Sequence, residues 1–129
     1  MKYLLDADTI SYLVRQDRTV WKKALQFATQ WCISSLTVWE LRNWKNNLSD
    51  PAQQLLEQLL LETQTLNFDF EDANVSSAVK WDLRKSGLDI GTIDVLVAGQ
   101  AIAKSLILVT NNTKHFSAVP SLRIENWIK

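Results

Sequence analysis

Asp6, Asp8, Glu40 and Asp94 each stand beside an apolar run: the first two after KYLL, Glu40 after CISSLTVW, and Asp94 at the head of VLVAGQAIAKSLILVT. An ionised carboxylate is costly to bury unless it is paired, hydrogen-bonded or bound to a metal. Several carboxylates on one rim repel each other and raise one another's pKa values unless cations share them. The chain carries one Cys (Cys32) and one His (His115), so a zinc site rich in thiols or imidazoles is excluded. An oxygen-only donor set suits Mg²⁺ or Mn²⁺. One or two such ions activate water and stabilise the departing oxygen of a phosphodiester.

Each of these residues also has a purely structural role open to it. Asp6 or Asp8 can cap a helix, and Asp94 can favour the positive end of one. Glu40 can close a capping box with Thr37 in TVWE. Asn112, two residues beyond Thr110, can be a turn residue. The two sets of readings part on whether the fold brings Asp6, Glu40, Asp94 and Asn112 to one place.

The elements that must do so can be read from periodicity. KYLLD is a short buried strand, followed by helical pattern from Asp8 to about Arg15, a polar break at QDR, and a second helical run, TVWKKALQFATQW. CISS is a second strand and LTVWELRNWKNNL a helix. Ser49 or Asp50 before Pro51 opens the next helix. TLNFDF alternates as a third strand, and EDANVSSAVKWDLRKSG is a helix closed by Gly87. TIDVLVAGQAIAKS is apolar on all sides and therefore central. LILVT is a strand of the continuous apolar kind found in parallel sheets, and LRIENW is a last short one. Strands alternating with helices predict an α/β sandwich with a central, mainly parallel sheet flanked by helices. Ligands in such folds bind outside the carboxyl ends of the strands, which is where Asp6, Glu40 and Asn112 fall.

Composition sets the remaining bounds. With 129 residues, 47% hydrophobic and 22% charged, the chain predicts one domain, 1–129, with a substantial core. A formal net charge of zero argues against a dedicated non-specific nucleic-acid binder but leaves room for an enzyme that touches a few phosphates. The single Cys32 and the poor match of the first residues to a secretory signal predict a cytoplasmic protein, and no apolar run approaches a membrane span. Arg15, Arg42, Lys45, Arg84 and Lys85 are candidate phosphate contacts, each with the alternative of a solvated helix face. The six Trp are expected mostly in the core, with Trp39 and Trp44 placed to line a groove for a partner helix or to stack a base. For His115, just past the last site position, a surface or structural role is expected.

LLDADTISYLV, ISSLTVWEL, IGTIDVLVAGQA and LILVTNNTKHF…VPSLRIENW resemble, in order and spacing, the signature segments of PIN-domain proteins. The nearest likeness is to the VapC-type toxins of toxin–antitoxin pairs, and it runs the length of the chain. The resemblance implies a PIN-like three-layer sandwich and a Mg²⁺- or Mn²⁺-dependent endoribonuclease, restrained by a small VapB-like antitoxin and forming a homodimer. It also implies that Asp6, Glu40 and Asp94 are the family's first three acids, with Asp6 and Asp94 as metal ligands. Two positions depart from the pattern. Asp8 stands where the family commonly has Asn, and Asn112 stands where many members have a fourth acid. Asp8 is therefore expected to compensate, in part, for the charge that Asn112 lacks, with Thr110 an additional site candidate.

Two other readings compete. YLLDADTI followed by LILVTNN also resembles haloacid-dehalogenase-type phosphatases, in which Asp6 would be a nucleophile. That reading leaves WEL and IGTIDVLVAGQA unexplained and finds no paired acids after Asn112. A PIN-like fold kept only as a binding module has no need of three intact acids.

Overall fold

The computed structural model describes residues 1–128. Successive residues of the first strand, β1 (Tyr3–Leu5), face opposite ways: Tyr3 and Leu5 enter one core and Leu4 the other. The same alternation holds in β2 (Trp31–Ser34), with Ile33 on the first face and Cys32 on the second. In β4 (Ile107–Val109), Val109 and Leu108 divide in the same way. Strands buried on both faces have to be apolar throughout, which accounts for the unbroken runs KYLL and LILV.

The sheet has five strands in the order β3-β2-β1-β4-β5, every pairing parallel, with β3 at Thr65–Leu66 and β5 at Ile124–Glu125. Four helices cover the first face: α1 (Ala7–Val14), α2 (Arg18–Gln26), α3 (Ser35–Trp44) and α4 (Asp50–Glu62). A single 3-10 turn, Lys45–Asn47, follows α3. The second face is covered by α5 (Phe70–Lys85) and α6 (Thr92–Ala103), which make the most extensive helix–helix contact in the protein. A one-turn helix, α7 (Thr113–Phe116), lies between β4 and β5. The predicted three-layer α/β sandwich is therefore the observed one. Among the described residues, no helix is long and apolar enough to cross a membrane.

Several boundaries differ from the sequence reading. TLNFDF is not a full strand: only Thr65 and Leu66 pair with β2. Beyond them the chain turns, because Phe68 N–H donates to Ser35 Oγ at 3.3 Å. Asp69 then opens α5 through a capping box, accepting from Asp72 N–H at 2.9 Å while Asp72 Oδ2 accepts from Asp69 N–H at 3.0 Å. Phe70 becomes the first helical residue and is left 82% exposed. Wholly buried Asp72 is offset by Lys104, whose Nζ lies 3.1 Å from its Oδ1, and by Gln100 Nε2 at 3.3 Å from Oδ2. Trp31 belongs to β2 rather than to the preceding helix. The expectation that the Trp residues are mostly core holds: Trp127 is fully buried and Trp21, Trp31 and Trp44 pack against the same core, whereas Trp39 and Trp81 are 58% and 59% exposed.

Gly99, within α6, packs directly against Ser76 of α5. A Cβ there would lie 2.0 Å from Ser76 Oγ and 2.5 Å from Ser76 Cα on α5.

Candidate active site

Asp6 is the residue at which β1 stops and α1 starts. Its Oδ1 caps α1 by accepting Thr9 N–H at 2.9 Å, and its backbone N–H donates to Val109 O of β4 at 3.0 Å. The helix-cap reading is therefore correct, and only Oδ1 is committed to the cap. Glu40 sits in the interior of α3, which is capped by Ser34, its Oγ accepting Leu36 N–H at 3.1 Å. The proposed Thr37–Glu40 capping box is thus absent: α3 starts earlier than TVWE suggested, and Glu40 is free of a cap's duty. Asp94 lies in the first turn of α6, where the helix dipole favours an acid. Asn112 stands at the head of α7 but caps nothing with its side chain; its backbone N–H donates to Thr110 Oγ1 at 3.0 Å.

These segments meet. Asp6, Asp8, Glu40, Asp94 and Asn112 line one polar cleft of ≈ 190 Å³, together with Thr37. Thr110 is wholly buried beneath it and reaches Asp6 with its side chain. Arg15, Arg42 and Lys45 are not among the cleft's lining residues. Arg42 is instead engaged by Glu57 of α4, and Arg15 is exposed. The larger cavity, ≈ 390 Å³ beside Trp81, Lys80 and Arg84, contains none of the acids.

The electrostatics follow from the crowding. Burial pushes Glu40 up to about 7, with the charges of Asp94, Asp6 and Asp8 adding to the effect. Burial likewise raises Asp6 to about 6, although hydrogen bonds from Thr110 and Thr9 work against it. Asp94 is raised by burial and held back by His115. Sequence reasoning had given His115 no part here. Its Nε2 lies 3.1 Å from Asp94 Oδ2 and 2.7 Å from Ile90 O. A His three residues beyond a site Asn, on a run too short to show any period, carries no sequence signal for such a contact.

Both raised acids hold their proton more tightly in the folded chain than in the unfolded one. Their stabilising contribution is full below the ordinary carboxylate range and is lost as pH rises through about 6 to 7. In EDTA at pH 8, Glu40→Gln should therefore melt roughly 3–6 °C above the parent, on the order of 1 kcal/mol for a half-exposed group. At pH 4 the two should melt together. Equal melting temperatures at pH 8 would mean that the acids do not repel one another as their placement implies.

The donor set fits a hard divalent cation. All its atoms are oxygens, the acids repel in the absence of a cation, and wholly buried Thr37 has an Oγ1 with no hydrogen-bond partner. The acids are gathered but not closed: among the described residues, no three His, Cys, Asp or Glu side chains stand together as a ready-made metal cluster.

Comparison with known proteins decides the family. The sequence matches the PIN domain over residues 3–122. The chain belongs to the PIN-domain family. Within it, the chain aligns with the VapC ribonucleases. It is 32% identical over 131 residues to ribonuclease VapC2 of Haemophilus influenzae, covering 99% of each chain. It is 28% identical over 130 residues to the tRNA(fMet)-specific endonuclease VapC of Salmonella typhimurium, covering 98% of each. The solved structure of VapBC2 from Rickettsia felis, bound to a DNA fragment from its promoter, superimposes with a TM-score of 0.89 at 28% identity, over 98% of this chain and 99% of that one. The PIN match and these relatives decide against the phosphatase alternative.

Proposed function

We propose that this VapC-type PIN ribonuclease hydrolyses RNA phosphodiesters at the cleft of Asp6, Glu40, Asp94 and Asn112, with Mg²⁺ or Mn²⁺ held by Asp6 and Asp94. The observation that carries this reading is the convergence of three acids from three separate segments, Asp6, Glu40 and Asp94, on one cleft whose lining contains no Lys, Arg or His side chain. When bound, the ion supplies Lewis acidity to the phosphoryl oxygens and lowers the pKa of water. Asp6 brings a carboxylate whose Oδ1 is fixed by Thr9 N–H, so that its remaining oxygen is preorganised. Glu40, held near 7, is matched to receiving a proton from the attacking water at neutral pH. Asn112 offers a carbonyl oxygen and an amide without charge, and exposed Asp8 at the same cleft makes up part of that charge.

The Salmonella relative is a tRNA(fMet)-specific endonuclease, which makes tRNA the first RNA to offer. The VapBC2 complex supports a small VapB-like antitoxin as partner; the homodimer rests on the family resemblance alone. The single buried Cys32 is consistent with a reducing cytoplasm.

Purified protein incubated with a tRNA panel should cleave in Mg²⁺ or Mn²⁺ and stop in EDTA. Asp8→Asn should raise the Mn²⁺ concentration needed for half-maximal cleavage severalfold. Cleavage that persists in EDTA would overturn the metal assignment, and an unchanged Mn²⁺ requirement in Asp8→Asn would remove Asp8 from the site.

A further inference from the structure

We infer that His115 is a positioning residue for Asp94: it holds Oδ2 of that carboxylate so that the other oxygen is left to the cleft. The inference rests on the proposed reading of the cleft as a cation site. Nε2 of His115 lies 2.7 Å from Ile90 O and 3.1 Å from Asp94 Oδ2. A backbone carbonyl only accepts, so at 2.7 Å Nε2 must carry the hydrogen. The other neutral tautomer would set two lone pairs against each other there. Whether the ring is neutral or charged, that one N–H is shared, with its shorter branch to Ile90 O and its longer branch to Asp94 Oδ2.

The surroundings hold the ring in that orientation. His115 stands edge-on to Phe116, with centroids 5.5 Å apart and planes at 88°. Phe116 is itself buried and lines the acid cleft. On the other side, α6 begins at Gly91 with no side-chain cap. The His115 bond to Ile90 O thus secures a helix start that lacks the usual anchor. One side chain joins the loop before α6, the acid in its first turn, and the short helix that follows Asn112. An Asp side chain with both oxygens free samples several rotamers, whereas one oxygen held by a donor fixes where the other points.

The test compares His115→Leu, which removes the donor, with His115→Gln, whose terminal amide N–H can reach the same two acceptors. Mn²⁺ binding by calorimetry should weaken roughly 10–100-fold in His115→Leu and only a few-fold in His115→Gln. Without metal, the ¹³C shift of the Asp94 carboxyl should move in His115→Leu and return toward the parent value in His115→Gln. In the unsubstituted protein, the imidazole ¹⁵N spectrum should show Nε2 protonated. An unmoved Asp94 carboxyl shift, a bare Nε2, or equal loss of Mn²⁺ binding in both variants would overturn the inference. A parent protein that binds no Mn²⁺ but shows the expected carboxyl shift would sink the cation site and leave the His115–Asp94 contact standing.

Discussion

Asp94→Asn should abolish most RNA cleavage while leaving the fold intact. The substitution keeps the shape of the side chain and an oxygen toward His115, and removes one negative charge from a set of four acids at the cleft. A charge that holds an activating cation is worth several kcal/mol in the transition state, so the rate constant at saturating Mn²⁺ should fall roughly 10²–10³-fold or more. The same change relieves repulsion in the metal-free chain. Its melting temperature in EDTA at neutral pH should therefore be no lower than the parent's. Loss of activity together with loss of folding would make Asp94 a structural residue. Retention of more than about a tenth of the activity would take it out of the catalytic set.

Gly99→Ala should be the most damaging single methyl in the protein. The Cβ would lie 2.0 Å from Ser76 Oγ, 2.7 Å from Ser76 Cβ and 2.5 Å from Ser76 Cα. A flexible side-chain tip could move aside, but a backbone atom moves only if α5 and α6 separate. Overpacking of this kind costs about 1–3 kcal/mol and more where backbone must shift. We therefore expect about 3 kcal/mol or more, a fall of roughly 10 °C or more in melting temperature. Ser76→Gly in the same chain removes Oγ and Cβ but not Cα, so it should restore only part of the loss. A Gly99→Ala protein that melts within a degree or two of the parent would show that the two helices are not so closely set.

The acids of the site were legible in the sequence because parallel sheets impose a simple rule. Side chains just past the carboxyl ends of apolar strands share a rim, and Asp6, Glu40 and Asn112 were expected there by that rule before the family resemblance added to it. Asp94 was legible for another reason: an acid in an almost wholly apolar helix demands an account of its charge. The structure also shows that structural and functional readings are not rivals at Asp6, where Oδ1 caps α1 while the carboxylate lines the cleft. Glu40 was read less well. The pattern T-x-x-E in TVWE suggested a cap, but Ser34 takes that role because the chain turns helical directly at the end of β2.

What remained hidden depended on contacts between segments far apart in the chain. TLNFDF alternates like a strand, yet Asp69 and Asp72 cap each other and Gln100, from α6, holds the turn through Leu66 O and Asn67 O at 3.5 and 3.4 Å. The D-x-x-D spacing was the available signal for that helix start. Trp39 and Trp81 fall at ordinary helical positions, and helical spacing alone does not say which face a second layer will cover. His115 gave no sign because its partners, Ile90 and Asp94, reach it only through the packing of α6 against α7.

The central strand has a bearing on how the protein is made. Tyr3 pairs with Ile107, and the Asp6 backbone is tied to Val109, so the first strand waits for nearly the whole chain before its second neighbour exists. Long-range parallel pairing closes slowly and late. During synthesis, Asp6 and Glu40 emerge early, but the scaffold that aims them, along with Asn112, comes off the ribosome near the end. An RNA-cutting enzyme so wired should do little harm to the machinery producing it for most of its own translation, and fragments that stop short of β4 should show no cleavage.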